Sequence, residues 1–140
     1  MEFVCADCPR RCQALRSDSA ADGICASPLL PRVVRAAPHY GEEPCISGTR
    51  GAGTIFFSGC SLRCVYCQNR EISRRSVGRS LTVPKLRNLM LHMRDEGVHN
   101  IELVTPSHFT RVLAEALNGL DLGIPVVWNS SGYENIETLR

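Results

Sequence analysis

Three cysteines stand within eight residues in Gly59-Cys60-Ser61-Leu62-Arg63-Cys64-Val65-Tyr66-Cys67-Gln68-Asn69, separated by three and then two residues. Thiolates are the usual protein ligands of iron–sulfur clusters, which ordinarily take four. Three supply only three corners of a [4Fe–4S] cubane and leave one iron for a ligand that is not protein. An open metal position is what catalysis requires and what a structural site closes off. Neither ferredoxin nor zinc-finger spacings match this loop. The competing reading is a structural zinc loop, or thiols packed as small hydrophobes. Zinc would need a fourth ligand, and His39, His92, His99 and His108 are all remote in sequence.

A second set, Cys5, Cys8, Cys12 and Cys25, fills the first 25 residues. Four soft ligands with no open position suit tetrahedral zinc or an auxiliary iron–sulfur cluster, and spacing does not separate the two. Electron relay and unligated thiols in a loose leader are the alternatives. Cys45, alone after Pro44, reads as a spare thiol.

These cysteines need elements to hold them. Thr54-Ile55-Phe56-Phe57-Ser58, ending at Gly59, is a buried-strand signal directly before Cys60. Leu86, Leu89, Met90 and Met93 then follow at helical spacing, with Thr82 as N-cap, Pro84 in the first turn and Gly97 as the stop. Ile101 to Thr105 predicts a second strand. Phe109, Val112, Leu113, Ala116 and Leu117 predict a second helix, capped by Ser107 and stopped at Asn118-Gly119. Ile124 to Trp128 predicts a third strand, with Trp128 in the core, and a further helix begins at Glu134.

Three βα units in a row predict an α/β fold with a parallel sheet and right-handed crossovers. A complete (β/α)8 barrel takes roughly 250 residues, so the architecture reads as a partial barrel truncated after about three units. Residues 1–26 read as a Cys-rich metal-binding extension. Residues 27–53, with Gly41, Gly48, Gly51 and Gly53 among Pro28, Pro31, Pro38 and Pro44, read as an irregular linker, and 54–140 as the N-terminal part of the barrel. The glycines from Gly48 to Gly53 lack phosphate-loop spacing and read as a turn.

At 140 residues, 44% hydrophobic and 21% charged, the composition is that of one globular domain. Its 16 basic and 14 acidic residues nearly balance, which argues for neither nucleic acid nor a membrane surface as partner. Arg10, Arg11, Arg32, Arg35, Arg74, Arg75 and Arg79 are scattered and read as solvated surface. No apolar run approaches the ~20 residues of a membrane span, and Met1 to Cys8 is not a targeting sequence. A cytoplasmic location is expected, where thiols stay reduced and eight cysteines read as metal ligands.

Cys60-x3-Cys64-x-Tyr66-Cys67 after the first strand resembles the signature of the radical SAM superfamily. The stretch Glu42 to Asn69, the leader Cys8-Pro-Arg-Arg-Cys12 with Gly23-Ile24-Cys25, Leu103 to Phe109 and Trp128 to Tyr133 are similar to uncharacterised homologues of pyruvate formate-lyase activating enzyme. The resemblance implies that Cys60, Cys64 and Cys67 ligate a [4Fe–4S] cluster whose fourth iron is chelated by S-adenosylmethionine. One-electron reduction, from a donor such as flavodoxin or ferredoxin, then yields a 5′-deoxyadenosyl radical that abstracts hydrogen. It implies an oxidoreductase whose substrate is a glycine of a protein partner. Tyr66 is implied near the adenine, with Ser107 and Asn129 lining the amino-acid and ribose ends of the cofactor. Many members place Gly-Gly-Glu after the second strand to hold the cofactor's amine, and Thr105-Pro106-Ser107 stands there in this chain. His108 reads as a surface or capping residue, with proton donation as the alternative. The alternatives to an enzyme are a truncated, inactive metal-binding remnant and a zinc-binding interaction module.

Overall fold

The computed structural model describes residues 2–18 and 22–140. A short antiparallel ribbon of β1 (Phe3–Cys5) and β2 (Ala14–Arg16) carries Cys5 and, in its connection, Cys8 and Cys12, and Cys25 follows it. The chain then runs through β3 (Arg32–His39), the single-turn helix α1 (Pro44–Ser47), β4 (Ala52–Phe57), α2 (Arg70–Ser73) and β5 (Arg79–Ser80). The long helix α3 (Val83–Asp95), β6 (Ile101–Val104), a 3-10 turn at Ser107–Phe109, α4 (Thr110–Leu117), β7 (Val126–Asn129) and α5 (Ile136–Leu139) complete it.

The main sheet has the order β5-β3-β4-β6-β7. The neighbours β4, β6 and β7 are parallel, joined by α3 and α4 as the hydrophobic periods predict, while β3 and β5 are antiparallel. The sheet is therefore mixed, and the reading of 27–53 as an irregular linker is corrected: eight of those residues form β3. Pro38 and the surrounding glycines hid it. Pro38 faces Gly53 of β4 within the ladder, but β5 covers the other edge of β3 only at Arg32 and Val33. A proline is tolerated where a strand edge is left open.

Ile55 and Phe57 of β4 and Ile101 and Leu103 of β6 face Leu86, Met90 and Met93 of α3 and Leu113 and Ala116 of α4, all buried. Trp128 packs against this core, half-buried. Each fully buried side chain of this kind contributes about 1.5–3 kcal/mol. The period of two then places Thr54, Phe56, Glu102, Val104, Val127 and Asn129 on the opposite face of the sheet. Gly97, at φ +89, ends α3 as predicted. Thr82 occupies the predicted N-cap position of α3 without a side-chain cap bond. Ser107 does not cap α4, which begins at Thr110 after the 3-10 turn.

Candidate functional site

Cys60, Cys64 and Cys67 lie on the loop that leaves the C-terminal end of β4, the end where parallel sheets hold their sites. All three thiols are free and half-buried. The loop is pinned where it starts. The Gly59 N–H donates to the Ile72 carbonyl at 2.9 Å, and the Ser58 hydroxyl accepts from the Val77 N–H at 2.9 Å while donating to the Arg75 carbonyl at 2.5 Å. Within the loop Arg63 sits at φ +55, and the Leu62 N–H points at Cys60 Sγ, 3.4 Å away. Hydrogen bonds to cluster-ligating sulfurs are one of the levers that tune such centres.

The N-terminal ribbon forms one wall of this loop. Arg10 Nε donates to the Ser61 carbonyl at 2.8 Å, and its Nη2 reaches the Leu62 carbonyl at 3.3 Å. Gly59 is at φ +83, and any Cβ there would come within 2.3 Å of both the Cys25 carbonyl and Ser27 Oγ. Only glycine fits. Arg74 Nη2 donates to the carbonyls of Arg63 and Cys64, and Arg32 Nη1 to that of Ser76. The reading of these arginines as solvated surface is corrected for the half-buried Arg32 and Arg74; Arg10 is exposed but, like them, ties loop carbonyls together.

Cys5, Cys8 and Cys25 are buried and Cys12 is exposed. All four line one small enclosed cavity of about 10 Å³ together with Arg10, Ser61 and His108. Burial pushes the Cys8 thiol above its ordinary range, and the other three thiols add to that. Among the described residues no three His, Cys, Asp or Glu side chains stand close enough to hold a single metal ion. The thiolates of a cubane each attach to a separate iron, and the fit of the Cys60 loop rests on its donor set of three soft, free thiols.

His108 is a correction to the sequence reading, being 2% exposed and neither a surface nor a capping residue. Its Nε2 lies 2.9 Å from the Ser58 carbonyl, which only accepts, so Nε2 carries the proton and Nδ1 is bare. Nδ1 has no partner among the described residues. Burial holds its pKa down at about 4, with the charge of Arg16 adding to the effect, so the ring is neutral at pH 7. Arg16 is 3% exposed and donates to the carbonyls of His108, Ser27 and Pro28 at 2.6, 2.9 and 2.9 Å, with Cys5 Sγ 3.6 Å away. Nothing in a lone arginine between Leu15 and Ser17 announces this role in sequence.

The remaining expected contacts separate. Tyr66 is 87% exposed on the cysteine loop. Ser107 is buried, and its hydroxyl is donated to Glu134. Thr105, where the family pattern has glycine, is held at φ +57, a left-handed backbone unusual for a β-branched residue. Its N–H donates to the Asn129 carbonyl at 2.8 Å. Asn129 is exposed at the end of β7, and its Nδ2 donates to Glu102 Oε1 at 2.7 Å. Glu102, 0% exposed, also accepts from Thr54 Oγ1 at 3.0 Å. The sequence did carry a signal for Glu102: a carboxylate in a strand of a parallel ladder, where continuous apolar runs are usual. A cavity of about 560 Å³ between Asp7, Arg111 and Asn135 is lined by no cysteine, though Asp7 also lines the small cavity of the N-terminal cysteines.

The sequence model of the radical SAM superfamily matches residues 54–140, more than half of the chain. The chain belongs to the radical SAM superfamily. It is similar to an uncharacterised protein of Methanocaldococcus jannaschii, 33% identical over 111 residues that cover 73% of this chain and 32% of that protein. The chain thus spans about a third of the length of the curated relative it matches. No solved structure matches it. The superfamily uses S-adenosylmethionine, a reductant and a [4Fe–4S] cluster for radical chemistry. The matched region begins at Thr54, in the middle of β4, and contains the whole Cys60 loop. Among the described residues no helix is long and apolar enough to cross a membrane.

Proposed function

We propose that this radical SAM protein holds a [4Fe–4S] cluster on Cys60, Cys64 and Cys67 and binds S-adenosylmethionine at the iron they leave open. The observation that carries the reading is three free, half-buried thiols on the loop after β4, inside the region the superfamily model matches. When bound, the cluster and S-adenosylmethionine supply reductive cleavage of the sulfonium and abstraction of a hydrogen atom from substrate. The chain's part is to hold and shield. The Cys60, Cys64 and Cys67 thiolates anchor, the Leu62 N–H donates to sulfur, and Arg10 and Arg74 fix the loop carbonyls. Tyr66 is assigned to the adenine, Ser107 and Asn129 to the amino-acid and ribose ends. The parallel run β4-β6-β7 is the opening arc of a (β/α) barrel, with residues 1–26 as a Cys-rich extension on its rim.

Cys5, Cys8, Cys12 and Cys25 are assigned to the second site, for zinc or an auxiliary cluster; they line one cavity, which supports a structural role, but would have to draw together to hold a single zinc ion. By its likeness to pyruvate formate-lyase activating enzyme, the substrate is a glycine of a protein partner and the electrons come from flavodoxin or ferredoxin, in the cytoplasm. Anaerobic reconstitution with iron and sulfide, followed by electron paramagnetic resonance with and without S-adenosylmethionine, tests the core of this reading. A reduced-cluster signal that changes on adding the cofactor, with release of 5′-deoxyadenosine, is expected. Zinc uptake alone, or a cluster signal indifferent to the cofactor, would overturn it.

A further inference from the structure

Glu102 is a carboxylate with no exposed surface, set between two apolar neighbours in β6 and, among the described residues, with no cation in an ion pair with it. Burying such a group costs several kcal/mol unless its oxygens are satisfied. Both are: Oε2 by the Thr54 hydroxyl at 3.0 Å and Oε1 by the Asn129 amide at 2.7 Å. The register explains the reach. Thr54 and Glu102 are direct partners across β4 and β6, and Val104 is the partner of Asn129 across β6 and β7, so the three polar residues share one face of the sheet. The main chain locks the same residue, through the bond from the Thr105 N–H to the Asn129 carbonyl at 2.8 Å.

A glutamine at position 102 would make similar bonds at lower desolvation cost, but an amide both donates and accepts and would let the Asn129 amide settle either way round. A carboxylate accepting at both oxygens admits only the Nδ2 end of Asn129. We infer that Glu102 is a positioning residue: it fixes the Asn129 amide with Nδ2 turned into the sheet, so that Oδ1 is presented as a hydrogen-bond acceptor to bound S-adenosylmethionine. The inference rests on the assignment of Asn129 to the cofactor above and names what holds it ready. Pre-set acceptors of this kind spare the ligand the cost of ordering the side chain.

The test has two arms, on the variants Glu102→Gln, Glu102→Ala and Asn129→Ala and the Glu102→Ala, Asn129→Ala pair. In the metal-free protein, nuclear magnetic resonance of the Asn129 side-chain amide, assigned by its loss in Asn129→Ala, reads the bond directly. Its resonances should move toward solvent values in Glu102→Ala and only part of the way in Glu102→Gln, where the residue-102 amide holds Asn129 in either orientation. In the reconstituted protein, S-adenosylmethionine affinity should fall about tenfold in Glu102→Ala and in Asn129→Ala, and no further in the pair. Glu102→Gln, which can still bond Thr54 and Asn129 but no longer fixes which end of the Asn129 amide faces it, should lose less than Glu102→Ala and serves if the alanine variant does not fold. Equal losses from Glu102→Ala with and without Asn129, or an unchanged affinity, would overturn the inference. If Asn129→Ala leaves the affinity intact, the inference falls while the superfamily chemistry stands. If the wild-type protein binds no cofactor, both fall, and the resonance arm still tells whether the bond itself exists.

Discussion

The two cysteine sets share a wall and differ in almost everything else. Cys5, Cys8 and Cys25 are buried at 7, 8 and 9% exposure, whereas Cys60, Cys64 and Cys67 are all half-buried on a loop whose next residues, Val65 and Tyr66, are more than 80% exposed. Four thiols around one small cavity, only Cys12 of them exposed, would leave a metal little room for an outside ligand. Three thiols at a loop beside open surface leave room for one. The sets touch through Arg10, which donates to Ser61 and Leu62, and through Gly59 against the Cys25 carbonyl. The lesson is a division of labour, in which the enclosed set gives the open loop something rigid to lean on.

The sharpest way to break this comparison is to remove one set at a time and count metal. Replacing Cys60, Cys64 and Cys67 by alanine should abolish the cofactor-sensitive resonance signal and 5′-deoxyadenosine release, leaving metal on the N-terminal set intact. Replacing Cys5, Cys8 and Cys25 instead should remove that second metal and lower the unfolding midpoint, with a cofactor-sensitive cluster still formed. If either triple replacement empties both sets, they form one interdependent site and the division of labour is wrong.

A second contrast is carried by His108, the buried imidazole behind both sets. Its pKa is about 4 in the folded protein against an ordinary 6.5, so the unfolded chain binds its proton first as pH falls. Its contribution to stability is therefore complete above pH 6.5 and is lost as pH falls toward 4, about 3 kcal/mol in all. Urea unfolding of the metal-free protein across that window checks this. His108→Gln, which keeps an N–H for the Ser58 carbonyl, should show a shallower loss than the wild type. Parallel curves for the two would mean that His108 titrates normally and is not sealed.

How much of this was legible in the sequence follows the range of each interaction. The helical periods of Leu86, Met90 and Met93, the strand before Gly59 and the cysteine spacings are local, and the elements fall within a few residues of the expectations. β3 was missed because its signal is a pairing with β4, which local composition around Pro38 conceals. Asp7 bonding Arg111, Arg16 bonding the His108 carbonyl and Thr54 bonding Glu102 join residues 104, 92 and 48 positions apart, which no window reading reaches. Thr105 is the reverse case, since the family pattern offers glycine and the chain keeps the left-handed backbone with a threonine.

The smallest expected effect belongs to the tether itself. Arg10 is exposed, yet it makes one good bond, to Ser61, and one long one, to Leu62. A net hydrogen-bond contribution of about 1 kcal/mol corresponds to about fivefold in an opening equilibrium. Arg10→Ala should therefore leave the fold and the iron count unchanged while the cluster is lost to a chelator about fivefold faster, provided loss proceeds through opening of the loop. Arg35→Ala, an exposed arginine on β3, should leave that rate at the wild-type value. The argument for Arg10 is geometric. It reaches from the enclosed set to two consecutive carbonyls between Cys60 and Cys64, so slackening it loosens the open set without touching a ligand of either. An unchanged loss rate would show that the contact at Gly59 holds the two sets together without it.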